Sequence, residues 1–266
     1  MNSDWSWIAR IETLCREAGA FQMRHFREHP PGWGDEKAAK NYVSHIDIES
    51  ERMLKDGLYA ICPEAGFYGE ESERVPNEAL EWVVDPLDGT TNYLSGYDVF
   101  TISVGLTQYG EPMLGVVYRP ATGDCFAAAR GQGARKNGAP LPRHAAMPLA
   151  NALIGTGSPF RSPDLADAFF ASVKAVMAAC RDIRRPGSAA LDLSYVAAGY
   201  FQGFWEQDLQ PYDVAAALCI LAETGCRVSA LHQKPYDMFA DRVLIAGLPG
   251  AQEELCEIVS RYYCGA

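Results

Sequence analysis

The chain has 266 residues, 48% of them hydrophobic, which suits one large domain or two closely joined ones with a substantial core. A formal net charge of −11 argues against nucleic-acid binding through bulk electrostatics, and an anionic substrate would need a local cationic centre. No apolar run reaches bilayer length, MNSDWSWIARIE lacks the order of a signal peptide, and the 8 scattered cysteines form no C-x-x-C pair, so we expect a soluble, cytoplasmic protein with reduced thiols and no membrane contact.

From Asp4 to about Glu28, Trp7, Ile8, Ile11, Leu14, Cys15 and Ala18 recur at helical spacing, with Asp4 as a candidate cap and HPPGWG as the break. His25 and His29 lie one turn apart, but nothing nearby completes a tetrahedral set, so they read as exposed histidines. Ile46, Ile48, Met53, Leu54, Leu58 and Ile61 mark a second helix, ended by Pro63. AGFYGEES reads as a short strand leading to Glu70 and Glu71. YDVFTISVGL, MLGVVYRP and DCFAAARG are strand candidates joined by turns. RGQGARKNG follows a hairpin pattern with no helix behind it, so its G-x-G reads as a turn and not a dinucleotide fingerprint.

The pattern changes at PLPRHAAMPLANA, dividing an α+β part, residues 1–145, from an α/β part, residues 146–266. In the second part ALIGTG, GFWE, CRVSAL and DRVLIAG read as strands. SPDLADAFFASVKAVMAAC, SAALDLSYVAAGYF with Ser188 as its cap, PYDVAAALCILAETG with Pro211 in its first turn, and a C-terminal segment read as helices.

Within the first part, WVVDPLDGTTNY (Trp82 to Tyr93) sends an apolar strand into two aspartates, Asp85 and Asp88. Buried carboxylates need a counter-charge or a metal, and the run contains no lysine or arginine. Glu70 stands at another strand end, and Asp213 in the first turn of an apolar helix. Carboxylate oxygens suit a hard divalent cation such as Mg²⁺, and the Asp85–Asp88 turn can add the Leu87 carbonyl. Gly89, Thr90 and Thr91 can open a helix whose free amides receive a phosphate. Metal beside an anion seat points to metal-assisted phosphoryl chemistry. The D-x-x-D spacing does not fit aspartyl-phosphate phosphatases, which use D-x-D, and no C-x5-R loop is present, so the attacking group is expected to be a metal-activated water.

GEES at 69–72, WVVDPLDGTTNY and PYDVAAA at 211–217 resemble the signatures of the inositol monophosphatase family, magnesium-dependent and lithium-sensitive sugar phosphatases. SHIDIESE at 44–51, GSAALDLSYVAAGYFQGFWE at 187–206 and RGQGARKNG match in order and spacing, so the likeness spans the chain. The resemblance implies a layered αβαβα fold with two mixed or antiparallel sheets and, usually, a homodimer. By it, Glu70, Asp85 and the Leu87 carbonyl would hold a first Mg²⁺. Asp85, Asp88 and Asp213 would hold a second, with a weaker third near Glu70. Thr90, supported by Asp47, would orient the nucleophilic water, with Glu70 also catalytic; Asp88, Gly89, Thr90, Ser158, Ala189, Glu206 and Asp213 would bind substrate. The implied activity is hydrolysis of myo-inositol monophosphate or a related polyol phosphate. Its alternatives are fructose-1,6-bisphosphatase, 3'(2'),5'-bisphosphate nucleotidase, or a non-catalytic regulatory protein of the same fold. Tyr212 stands where the family usually has tryptophan and is expected to serve as packing support.

Overall fold

The structure is a computed structural model that describes residues 5–28, 30, 33–38, 41–77 and 79–263. The chain starts with α1 (Trp5–His25), a small hairpin of β1 (Asp35–Ala38) and β2 (Asn41–Val43), and α2 (His45–Tyr59). It continues through β3 (Gly66–Gly69), β4 (Glu81–Asp88) and the short α3 (Thr90–Leu94). A meander follows, made of β5 (Thr101–Gln108), β6 (Glu111–Arg119), β7 (Asp124–Ala129), β8 (Ala134–Lys136) and β9 (Ala139–Pro140). Helices and strands then alternate through β10 (Leu153–Thr156), α4 (Ala166–Ala179), β11 (Asp182–Arg184), α5 (Ala189–Ala197) and β12 (Gly203–Gln207). The chain closes with α6 (Pro211–Thr224), β13 (Arg227–Ser229), β14 (Val243–Gly247) and α7 (Ala251–Ser260).

Strands β3 to β9 form one sheet in sequential order, with β3 parallel to β4 and every later pair antiparallel. The other large sheet runs β11-β10-β12-β14-β13, with β10 parallel to both its neighbours and β14 antiparallel to both of its own. Side-chain alternation along the strands assigns the layers. Trp82 and Val84 of β4 face the core under α1 and α2, with Ile11 and Leu54, while Val83 faces α5 and α6 on the opposite side. In β12, Phe204 joins that middle layer, whereas Trp205 packs outward with Val176 of α4 and Leu255 of α7. The result is the αβαβα stack that the resemblance implies. A strand covered on both faces has no solvent side, which is why all eight residues of β4 are buried and its sequence shows no polar alternation.

Helix α6 lies unusually close to the first sheet. A Cβ at Gly115 would overlap the Ala216 backbone, and one at Gly105 would lie 3.1 Å from the Ala215 Cβ. Glycines on β5 and β6 facing Ala215 and Ala216 therefore let the helix seat directly on the strands. This seating carries Asp213, in the first turn of α6, toward the end of β4.

Several expectations are corrected. RGQGARKNG holds a turn followed by β8, because the meander continues past β7 to a further pairing. The β1–β2 hairpin and β11 lack enough apolar periodicity to be read from sequence. Helix α1 ends at His25, before Arg27 takes a left-handed φ of 67°, and Ile48 is 56% exposed on the outer face of α2. His25 pairs with Glu28 at 3.0 Å, while Asp4 and His29 lie outside the described residues. The seven cysteines among the described residues are free thiols. No helix among those residues is long and apolar enough to cross a membrane.

Candidate active site

In a regular strand, residues three apart point to opposite faces, so Asp85 and Asp88 should diverge. They do not, because β4 bulges between them. Asp85 pairs with Ser103 and Asp88 with Thr101, so three steps on β4 match two on β5. The expected turn is this bulge, with Pro86 inside it, where no ladder amide is required. The Leu87 amide donates to Asp85 Oδ1 at 2.9 Å, fixing the first carboxylate. Asp88 Oδ2 accepts from the Ser188 hydroxyl at 2.7 Å and from the Ala190 amide at 2.8 Å. Ser188 does stand at the start of α5, but its hydroxyl makes no bond to that helix and serves Asp88 instead.

Asp213 arrives on α6, with Oδ2 accepting the Gln210 amide at 2.7 Å. One oxygen from each of Asp85, Asp88 and Asp213 falls within 4.8 Å of the others, and all three residues are buried. Glu70 lines the same cleft without joining that tight group. Burial, followed by Glu70, Asp88 and Asp213, holds the Asp85 carboxyl well above the usual carboxylate range. Burial and Asp213 push Asp88 up to about 7, against the lowering pull of the Ser188 hydroxyl and the α5 amides. Arg161 supplies one cation, its Nη1 lying 3.0 Å from Asp213 Oδ2. Sequence reading missed this arginine, since a single basic residue in the loop SPFRSPDL gives no signal of what it faces.

The Thr90 hydroxyl lies 3.0 Å from Asp47 Oδ1 and 3.1 Å from the Leu87 carbonyl. Asp47 is fully buried and also accepts the Ser44 amide and hydroxyl at the start of α2. With its proton directed inward, the Thr90 oxygen keeps lone pairs free to accept from a molecule in the cleft. Gly89 has a φ of 101°, and a Cβ there would lie 3.0 Å from the Val99 carbonyl, so only glycine fits between the bulge and α3. Asn92 ties α3 to the chain before α5 by donating to the Pro186 carbonyl at 3.0 Å.

These groups open on one cleft of about 650 Å³. Glu70, Asp85, Leu87, Asp88, Gly89, Thr90, Ser158, Ala189, Glu206 and Asp213 all line it, while Asp47 stands behind Thr90. Glu206, at the end of β12, is pushed up to about 8 by burial, then by Asp213 and Asp88. Gln207 and Asp208 do not line it. Gln207 accepts from the Tyr263 hydroxyl at 3.0 Å, and Asp208 pairs with Arg242 at 2.7 Å. Tyr212 packs edge-on against Tyr68 with ring centres 5.8 Å apart, as a support. Asp192 on α5 also lines the cleft and was missed, although an acid in the apolar run AALDLSYVAA is the same signal that singled out Asp213.

Three buried carboxylates crowded together, with one arginine on one of them, leave negative charge that a divalent cation fits. The donors are all oxygens, which suits a hard ion such as Mg²⁺ over a thiolate- or imidazole-seeking one.

The chain is similar to several known proteins. The chain is 44% identical over 191 residues to an inositol-1-monophosphatase of Rhizobium meliloti, covering 71% of this chain and 72% of that protein. It is 35% identical over 217 residues to the Nus factor SuhB of Escherichia coli K12, covering 81% of each. The crystal structure of the extragenic suppressor protein suhB of Bartonella henselae superposes with a TM-score of 0.90 at 33% identity, over 98% of this chain and 100% of that one. Residues 6–263 match the sequence description of the inositol monophosphatase family. The chain belongs to the inositol monophosphatase family and is a phosphatase of that family.

Proposed function

We propose that the protein is a Mg²⁺-dependent phosphomonoesterase that hydrolyses myo-inositol monophosphate or a related polyol phosphate by attack of an activated water. The observation that carries this is the meeting, in one cleft, of three buried carboxylates within 4.8 Å with a threonine hydroxyl held by a buried aspartate. Glu70, Asp85, the Leu87 carbonyl, Asp88 and Asp213 would hold the metal. Bound Mg²⁺ supplies a Lewis acid that makes water a nucleophile near neutral pH and offsets phosphoryl charge. Thr90 accepts a hydrogen bond from the attacking water, and Asp47 holds the hydroxyl in that orientation. Glu70, on the cleft wall, would be a second acceptor for that water. Gly89 and Thr90 would present amides to the phosphate, and Ser158, Ala189 and Glu206, which line the same cleft, would face the polyol. Purified protein should release phosphate from inositol 1-phosphate with Mg²⁺, lose that activity in EDTA, and be inhibited by lithium. Parallel assays on fructose 1,6-bisphosphate and a 3'(2'),5'-bisphosphate nucleotide separate the sibling substrates. The homodimer that the family resemblance implies is tested by light scattering.

A second reading, a regulatory binding protein of the same fold, draws support from the likeness to Nus factor SuhB. The formal charge of −11 argues against direct RNA contact, and the full acid set favours the enzyme. A stable transcription partner together with no turnover of any phosphate ester would reverse that preference.

A further inference from the structure

The connection from β12 to α6 lies between Glu206 and Asp213, and within it Asp208 holds a left-handed φ of 53°. Glycine takes that conformation freely, whereas an aspartate there needs side-chain contacts that offset the strain. Asp208 has them. Its Oδ1 accepts from Arg242 Nε at 2.8 Å, and its Oδ2 accepts from Arg242 Nη2 at 2.7 Å. The same Oδ2 accepts the hydroxyl of Ser162, which is 1% exposed. The guanidinium reaches on to Asp164, with Nη1 at 2.9 Å from Oδ2. From the other side, the Asp208 amide donates to the Arg242 carbonyl at 2.6 Å. Asp208 and Asp164 thus share one arginine, and the contacts to Ser162 and Asp164 grip the loop between β10 and α4.

Ser162 directly follows Arg161, the cation on the acid cluster, whose Nη1 lies 3.0 Å from Asp213 Oδ2. Inside the loop the Phe160 amide donates to the Ser158 carbonyl at 2.8 Å, and the Ser162 amide to the Pro159 carbonyl at 3.2 Å. Those bonds shape the turn without fixing where it sits over the cleft. We propose that Asp208 is a positioning residue: through Ser162 and Arg242 it holds Arg161 on Asp213, and so sets how tightly the acid cluster takes its metal. This rests on the metal-dependent reading given above and deepens it. Asp208 does not itself line the cleft, so it acts through the loop. An arginine gives up much rotamer freedom to hold a partly solvated ion pair. Pinning the next residue removes part of that cost beforehand. A firmly held guanidinium then draws more on the Asp213 charge that a divalent ion would use.

The test is Mg²⁺ affinity by calorimetry in wild type, Asp208→Gly, Arg161→Met and the double variant. Glycine keeps the left-handed backbone and removes only the carboxylate, so the fold should survive. Asp208→Gly should change the Mg²⁺ Kd about three-fold or more, in the same direction as Arg161→Met, and the double variant should match Arg161→Met alone. Asp208→Asn tolerates the same backbone and keeps an acceptor for Ser162, so it should return the Kd toward the wild-type value. Additive or opposed shifts would mean that Asp208 reaches the metal site without Arg161 and would overturn the proposal. An unchanged Kd in Asp208→Gly would do the same. A second cycle needs no metal. Arg161→Met should lower the melting temperature of the metal-free protein by clearly less in the Asp208→Gly background than in wild type, and equal losses would again overturn the proposal. If the wild type binds no Mg²⁺, the metal-dependent reading falls separately, and this melting cycle still decides whether Asp208 positions Arg161.

Discussion

Thr90 and Asp47 meet through a 3.0 Å hydrogen bond that joins the end of the bulged strand to the first turn of α2. Asp47 is also the acidic half of the cap that starts α2, so one buried carboxylate both begins a helix and aims a hydroxyl into the cleft. Thr90→Val keeps the shape and removes the oxygen. Its kcat should fall about 10²-fold or more, with Mg²⁺ affinity by calorimetry little changed. Thr90→Ser should recover most of the loss. A valine variant as fast as wild type would remove Thr90 from the mechanism.

Asp85 sits among like charges, so its carboxylate is costly when no metal is present. Asp85→Asn relieves that repulsion while its amide oxygen can still accept the Leu87 amide. The metal-free variant should melt at or above the wild-type temperature at pH 8, yet lose activity. Mg²⁺ at a hundred times its Kd should stabilise the wild type by about 2.7 kcal/mol, and the variant by much less. An equal Mg²⁺ response in both proteins would exclude Asp85 as a ligand.

The layers and the carboxylates were readable in the sequence because each has a one-dimensional signature. Apolar periodicity marks α1, α2 and the strands of the meander, and acids stranded in apolar runs mark Asp85, Asp88 and Asp213. Details set by pairing were not readable. The D-x-x-D run reads as a turn, and only its register against Ser103 and Thr101 reveals a bulge. Ser188 has the chemistry of a helix cap, and a contact 100 positions away takes its hydroxyl for Asp88. Arg161 and Asp192 owe their importance to neighbours from other elements, which local pattern does not encode. The glycines and alanines that seat α6 are plain in sequence, but their purpose appears only when Gly115 is found beneath Ala216.

Arg161 neutralises part of the acid cluster from the loop between β10 and α4, and Arg242 anchors that loop through Asp164 at 2.9 Å. A guanidinium and a metal ion at Asp213 draw on the same carboxylate charge. Arg161→Met should therefore tighten Mg²⁺ binding measured by calorimetry. The metal-free variant should lose stability by roughly 1–2 kcal/mol, a discounted figure because the guanidinium side chain is 26% exposed. Weaker Mg²⁺ binding in the variant would show that Arg161 organises the ligands and does not compete for them.

Glu206 should leave its mark on the pH dependence of the metal-free protein. In the unfolded chain it ionises near its ordinary value of 4.5, whereas in the fold it holds its proton up to about 8. Between those limits the folded state binds the extra proton, so stability falls as pH rises from about 4.5 to about 8. Asp88 contributes in the same direction up to about 7. Below pH 4.5 Glu206 is largely protonated in both states and adds no slope. Glu206→Gln removes its share by keeping the site neutral throughout. The variant should melt about 3 °C or more above the wild type at pH 8, and together with it at pH 4. Melting curves that stay parallel between pH 4 and pH 8 would mean that Glu206 is ionised in the fold across this range, with solvent or a cation meeting the charge that burial otherwise opposes.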